Sequence, residues 1–192
     1  VVSFTLMKST LFYSKILLFG EYGIIKDSKG LAIPYNSYNG TLKKVPLSEQ
    51  NKEQEQSNRS LAKYFVYLSE ITQGEAPLVQ FDMERLSEDI AQGMYFDSSI
   101  PQGYGVGSSG ALVAAIYDTY AIDKIEATET LTRDKLLRLK EIFSLMESFF
   151  HGKSSGLDPL NSYLSIPILI NSSNLIETTG IPTPYEEGKG AV

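Results

Sequence analysis

An α+β fold is predicted for this chain, with helices packed on one face of a mainly antiparallel or mixed sheet. Two observations carry the expectation. Strand-like segments come first, long helical periodicities follow, and a strand-like segment closes the series. A glycine-rich run, Gly103 to Gly110, then stands directly before an apolar helix. With 192 residues, 42% of them hydrophobic, the chain has enough apolar material for one sizeable core.

Taken in order, Ser14 to Phe19 (SKILLF) is a continuous apolar run of buried-strand length, ended by Gly20. Gly30 to Tyr35 and Gly40 to Lys44 read as further short strands. Residues 46–60 are almost free of apolar side chains and read as a solvated loop. Leu61, Tyr64, Phe65, Leu68 and Ile71 then fall at helical spacing, with Ser57, Asn58 or Ser60 available as the cap. Val79 to Phe81 and Met94 to Ser98 look extended, and residues 82–92 between them have room for a helical turn. An apolar helix is expected from about Ser108 to Ile122, and a second from about Glu129 to Phe150. Gly152 and Gly156 mark a loop, Asp158 follows it, and Ile166 to Asn171 resumes as strand.

Composition excludes several classes. The chain has 17 basic and 23 acidic residues, a net charge of −6, so it lacks the broad basic surface that nucleic-acid backbones require. It has no cysteine and one histidine, which rules out a disulfide framework and any cysteine-ligated or histidine-rich metal site. No apolar run reaches the roughly 18 residues of a membrane span, and the N-terminus lacks the pattern of a signal peptide. A cytoplasmic protein is the expectation. Six residues precede Met7, and the chain closes on Gly188-Lys189-Gly190-Ala191-Val192, which reads as the entry to a strand. A fragment is therefore expected.

Three stretches carry chemistry. In Pro101-Gln-Gly-Tyr-Gly-Val-Gly-Ser-Ser-Gly110, glycines at 103, 105 and 107 let the backbone turn tightly and approach a ligand. The helix behind them offers free N–H groups and the positive end of its dipole, an anion cradle suited to phosphates. No lysine follows the glycines, so this is not a Walker loop, and Ser108 stands where a dinucleotide fingerprint needs its third glycine. In the second stretch, Glu147 to Asp158, Glu147 and His151 are spaced to share a helix face, and Asp158 follows a glycine-bearing loop. Alone, Glu147 reads as a solvated helix carboxylate and Asp158 as a helix cap. The third stretch, Lys15 to Glu21, is a strand with a lysine at its start and an acid past its end.

Together these stretches resemble the GHMP kinases. The glycine-rich run is similar to their phosphate loop, Pro-x-Gly-x-Gly-Leu-Gly-Ser-Ser-Ala, and Lys15-Ile-Leu-Leu-Phe-Gly-Glu21 to their N-terminal motif. His151-Gly-Lys-Ser-Ser-Gly-Leu-Asp158 resembles the His-Gly-x-Pro-Ser-Gly-x-Asp signature of the mevalonate kinases within that superfamily. The resemblance implies the GHMP-kinase N-terminal fold, α+β with helices on one face of a mixed sheet, over residues 7–192. It implies a second, C-terminal domain that this chain does not contain, and an isolated fragment with little activity.

The resemblance also implies roles. Asp158 would take the proton of a substrate hydroxyl, and Lys15 would keep Asp158 ionised and stabilise the transferring phosphoryl group. Gly103, Gly105, Val106, Gly107, Ser108 and Ser109 would cradle ATP, while Ser109 and Glu147 would hold Mg²⁺. Glu21 and Tyr22 would lie by the acceptor, a small hydroxylated molecule. A homodimer is compatible with it; nucleic acid and membrane are not expected partners. Four positions depart from the pattern: Tyr22 replaces a histidine associated with the acceptor, Ser154 a proline, Val106 a leucine and Gly110 an alanine. Mevalonate is the acceptor expected first, with a sugar, homoserine or phosphomevalonate as alternatives. The other class is a nucleotide-binding module without catalysis, which would need no base such as Asp158.

Overall fold

The computed structural model describes residues 10–19, 30–170 and 176–178. Strands β1 (Phe12–Phe19) and β2 (Gly30–Lys44) form a long antiparallel pair, and β3 (Met94–Ser98) adds to the distal half of β2. The short strands β4 (Ile168–Ile170) and β5 (Ile176–Thr178) extend the sheet from the proximal half. Of the two sheet types expected, antiparallel is the one observed at every described pairing. Five helices complete the α+β fold: α1 (Lys52–Ile71), α2 (Met83–Ala91), α3 (Ser108–Tyr120), α4 (Arg133–His151) and α5 (Leu157–Leu164).

Helices α3 and α5 lie on β1 and β2, while α1 and α2 lie on β3. Their common core is built from Leu61, Leu68, Ala114, Tyr117, Phe143 and Leu160, each essentially fully buried. Burial of large apolar side chains at about 1.5–3 kcal/mol each is the main stabilising contribution, set against chain entropy. Helix α3 is buried along most of its length, which explains its run of small and apolar residues from Gly110 to Ile116.

Several expectations are corrected by the structure. Gly30–Tyr35 and Gly40–Lys44 are two ends of one strand, and a register shift at Tyr13/Ser14 absorbs the polar stretch between them. Residues 52–60, expected as loop, are the first turns of α1. Asn51 and Gln54 close a reciprocal capping box there, and helix-forming Lys, Glu and Gln residues face solvent. Ser57 and Asn58, expected as caps, instead fasten the helix to the sheet. Ser57 Oγ accepts from Phe96 N at 2.9 Å, and Asn58 Nδ2 donates to Ile90 O and Met94 O.

Between the extended segments, α2 is a full helix capped by Asp82, and Val79–Phe81 contributes one bridge, from Phe81 to Ala121. Helix α4 begins at Arg133, where Thr132 caps it, rather than at Glu129. The largest omission is α5, which occupies residues to which no element was assigned, directly after the expected loop. Asn171, the expected end of the last strand, lies outside the described residues. No described helix is long and apolar enough to cross a membrane.

Candidate active site

The site forms where β1, the glycine-rich loop, the end of α4 and the start of α5 meet. Lys15 projects from the middle of β1, and its side chain is largely buried. Its ammonium lies 3.1 Å from Asp158 Oδ1. Asp158 is in the first turn of α5, where a carboxylate faces the positive end of the helix dipole, and it keeps about a third of its surface open. Pro159 is tolerated beside it because a first-turn residue needs no N–H. Helix α5 is tied to β1 by Ser162 Oγ, which donates to Tyr13 O at 2.8 Å. The pair Lys15–Asp158 is thus held by two elements that are themselves bonded together.

The glycine-rich loop crosses directly over Lys15. Lys15 N donates to Val106 O at 3.1 Å, and a Cβ at Gly107 would meet Lys15 Cγ at 3.2 Å. Gly103, Gly105 and Gly107 all have left-handed backbone, φ +81°, +67° and +85°, a region costly for residues with a Cβ. Gly107 is also the residue at which α3 starts, and no side chain caps that helix. Its first N–H groups, at Ser108 and Ser109, are left for another acceptor. Space beside Gly103 and Gly105 is open: among the described residues nothing lies within 4 Å of where their Cβ atoms would be.

Ser109, on the first turn of α3, faces the end of α4. Its hydroxyl donates to Glu147 Oε1 at 3.1 Å and lies 3.1 Å from His151 Nε2. Glu147 is buried, and its other oxygen, Oε2, accepts from Ser154 Oγ. Burial pushes the Glu147 carboxyl above its ordinary range, and the charge of Asp158 pushes the same way. Its hydrogen bonds with Ser154 and Ser109 and the neighbouring His151 pull in the opposite direction. Ser109, Asp158 and the loop backbone therefore present hard oxygen and N–H groups to one side of a cleft of about 900 Å³, with the buried Glu147 held behind Ser109. The opposite wall comes from α1 and β3, including Ser57, Leu61, Tyr95 and Phe96.

This donor set fits Mg²⁺ with a bound polyphosphate better than a protein-enclosed cation. Among the described residues no group of three or more His, Asp or Glu side chains converges as a metal cage. Magnesium ordinarily takes one or two protein oxygens and completes its shell with phosphate and water. Ser109 and Glu147 would supply such a pair, 3.1 Å apart through their hydrogen bond.

Of the residues singled out from the sequence, the structure brings together Lys15, Gly103, Gly105, Val106, Gly107, Ser108, Ser109, Glu147 and Asp158. Glu21 and Tyr22 lie outside the described residues. His151 and Ser154 were not among the assigned site residues, yet both contact the Ser109–Glu147 pair. The i, i+4 spacing of His151 from Glu147 was the signal available for the first; Ser154 lies beyond the end of α4 and carried none.

Residues 77–165 match the family model described as GHMP kinases N terminal domain. This segment carries the glycine-rich loop, Glu147 and Asp158. Among solved structures, it is similar to mevalonate kinase from methicillin-resistant Staphylococcus aureus MRSA252, with 20% identity, a TM-score of 0.46, and coverage of 88% of this chain and 54% of that one. Mevalonate kinase of Methanococcus jannaschii is 16% identical, with a TM-score of 0.49 over 90% of this chain and 55% of that one. The L. major mevalonate kinase solved with R-mevalonate is 16% identical, with a TM-score of 0.46 over 89% and 51%. The chain spans about half the length of these structures. No curated protein matches by sequence.

Proposed function

We propose that this chain is the ATP-binding half of a small-molecule kinase that transfers the γ-phosphoryl group of ATP to an alcohol, with mevalonate as the first acceptor to test. One observation carries the reading: Lys15 and Asp158 form an ion pair at the edge of the cleft, beside an uncapped helix start and a glycine loop with room for phosphates. A structural ion pair needs no such neighbourhood. Phosphoryl transfer does, because its catalysis consists mainly of positioning and charge neutralisation.

In this reading the N–H groups from Gly103 to Ser109 bind the polyphosphate. Ser109 and Glu147 hold Mg²⁺, which supplies charge neutralisation on the phosphates when bound. Asp158 accepts the acceptor's hydroxyl proton as its oxygen bonds to the γ-phosphorus, and ADP leaves with the electron pair of the broken P–O bond. Lys15 holds the Asp158 carboxylate in an ion pair and offsets the negative charge on the transferring group. The preference for mevalonate rests on the His151-Gly-Lys-Ser-Ser-Gly-Leu-Asp158 pattern. Tyr22 stands where that pattern usually carries a histidine, so several acceptors are compared.

The test is ADP release by the intact protein with Mg-ATP and mevalonate, homoserine, galactose or phosphomevalonate in turn. Acceptor-dependent ADP release is expected with one of them. Tight Mg-ATP binding with no release in any case would replace the kinase reading with a nucleotide-binding module.

A further inference from the structure

We infer that Ser154 is a positioning residue for the metal site: its hydroxyl fixes the Glu147 carboxylate so that Oε1 is turned toward Ser109. The inference rests on the proposed Mg-ATP site and deepens it. Ser154 Oγ donates to Glu147 Oε2 and at the same time accepts from Gly156 N at 3.0 Å. With its acceptor side occupied by that N–H, the hydroxyl proton is directed to the carboxylate. Glu147 therefore has one oxygen held by Ser154 and the other, Oε1, bonded to Ser109.

The loop that carries Ser154 is itself fixed to α4. Ser144 Oγ donates to Ser154 O at 2.6 Å, and a Cβ at Gly156 would meet Lys140 O at 2.2 Å, so the loop backbone lies directly on the helix. Two residues beyond that glycine is Asp158. One hydroxyl thus links the buried carboxylate to the loop leading into the helix of the proposed base. The mevalonate-kinase signature that residues 151–158 resemble carries proline at this position, which has no side-chain donor. Here a serine adds a bond that the pattern does not supply.

Holding a ligand's second oxygen preorganises the first, and loss of such outer contacts typically costs about 10–100-fold in metal affinity. The experiment titrates Mn²⁺ into the intact protein with a saturating non-hydrolysable ATP analogue, reading free Mn²⁺ by electron paramagnetic resonance. Ser154→Ala is expected to weaken Mn²⁺ roughly tenfold, and Ser154→Thr to restore it to within about threefold of wild type. Ser144→Ala, which loosens the loop without touching Glu147, should leave Mn²⁺ affinity unchanged. Unaltered affinity in Ser154→Ala would overturn the inference. So would an equal loss in Ser144→Ala, which would assign the effect to loop packing. Should Ser154→Ala not fold, the Thr and Ser144 variants still decide between hydroxyl and loop. A wild-type protein that binds no Mn²⁺ with nucleotide would instead remove the Mg-ATP reading itself.

Discussion

Restoring alanine at Gly110, the residue the GHMP pattern carries, is expected to destabilise this protein and slow it. Gly110 sits in the first turn of α3 against the start of α5. An added Cβ would lie 2.8 Å from both Asp158 C and Pro159 N, and 3.0 Å from Asp158 Cβ. Ordinary contact begins near 3.4 Å, so the two helices must separate by roughly half an ångström. The obstructing atoms are backbone and cannot rotate aside. Overpacking of this kind costs about 1–3 kcal/mol, and the gain from replacing glycine by alanine in a helix is at most about 1 kcal/mol. The net expectation is a loss of about 1–2 kcal/mol in urea denaturation with unchanged m-value.

The displaced atoms belong to Asp158 itself, so chemistry should suffer with stability. A misplacement of about 1 Å can cost 10²-fold in rate, and half that displacement implies a loss of about tenfold in turnover. ATP affinity should change less, because the atoms a Gly110 Cβ would meet belong to Asp158 and Pro159 and not to the glycine loop. A Gly110→Ala protein as stable as wild type, with unchanged turnover, would refute the claim that α3 sets the position of Asp158.

Two further predictions follow from the same geometry. Glu147 has its carboxyl raised, chiefly by burial, so the stability this group contributes is present at low pH and lost as pH rises through its folded-state value. Glu147→Gln should therefore melt higher than wild type at pH 7 without metal, the advantage vanishing in acid, while its Mg²⁺ requirement rises sharply; a lower melting temperature at pH 7 would contradict the burial argument. Gly105→Val places a β-branched residue at φ +67°, with no atom of the described residues within 4 Å of its Cβ. It should cost about 1–2 kcal/mol of stability yet lower Mg-ATP affinity more than tenfold by calorimetry, and normal affinity would reject the loop as the phosphate cradle.

How far the sequence disclosed this molecule depended on the kind of signal each segment carried. Helix α3 was legible because glycines announce its start and its buried sides need apolar residues throughout. Helix α4 was legible because apolar residues such as Leu136, Ile142, Met146 and Phe149 recur in a helical pattern, the first three of them buried. The start of α1 was hidden because its first turns bury little; the capping box at Asn51 and Gln54 was the one clue, and solvated polarity was read as loop. Helix α5 has eight residues, nearly all buried, so it shows no amphipathic alternation, and Pro159 reads as a breaker unless the helix start is known. The site residues were legible as a pattern, while their physics was not. Sequence spacing gave no hint that Ser154 bonds Glu147, or that Gly110 is pressed against Asp158, since both depend on how α5 folds back onto α3 and α4.

The central claim is that Asp158, paired with Lys15, takes the proton from an acceptor hydroxyl. Asp158→Asn in the intact protein tests it most directly, measured as turnover and as ATP affinity with the best acceptor. The amide keeps the size and one acceptor oxygen but can neither take the proton nor balance the Lys15 ammonium 3.1 Å away. General-base catalysis is worth about 10²–10⁴-fold, so turnover should fall by that range while ATP affinity stays within about threefold. Lys15→Met should also slow turnover, and the double variant should lose little more than the worse single one, because the two groups act together. Wild-type turnover in Asp158→Asn would contradict the account.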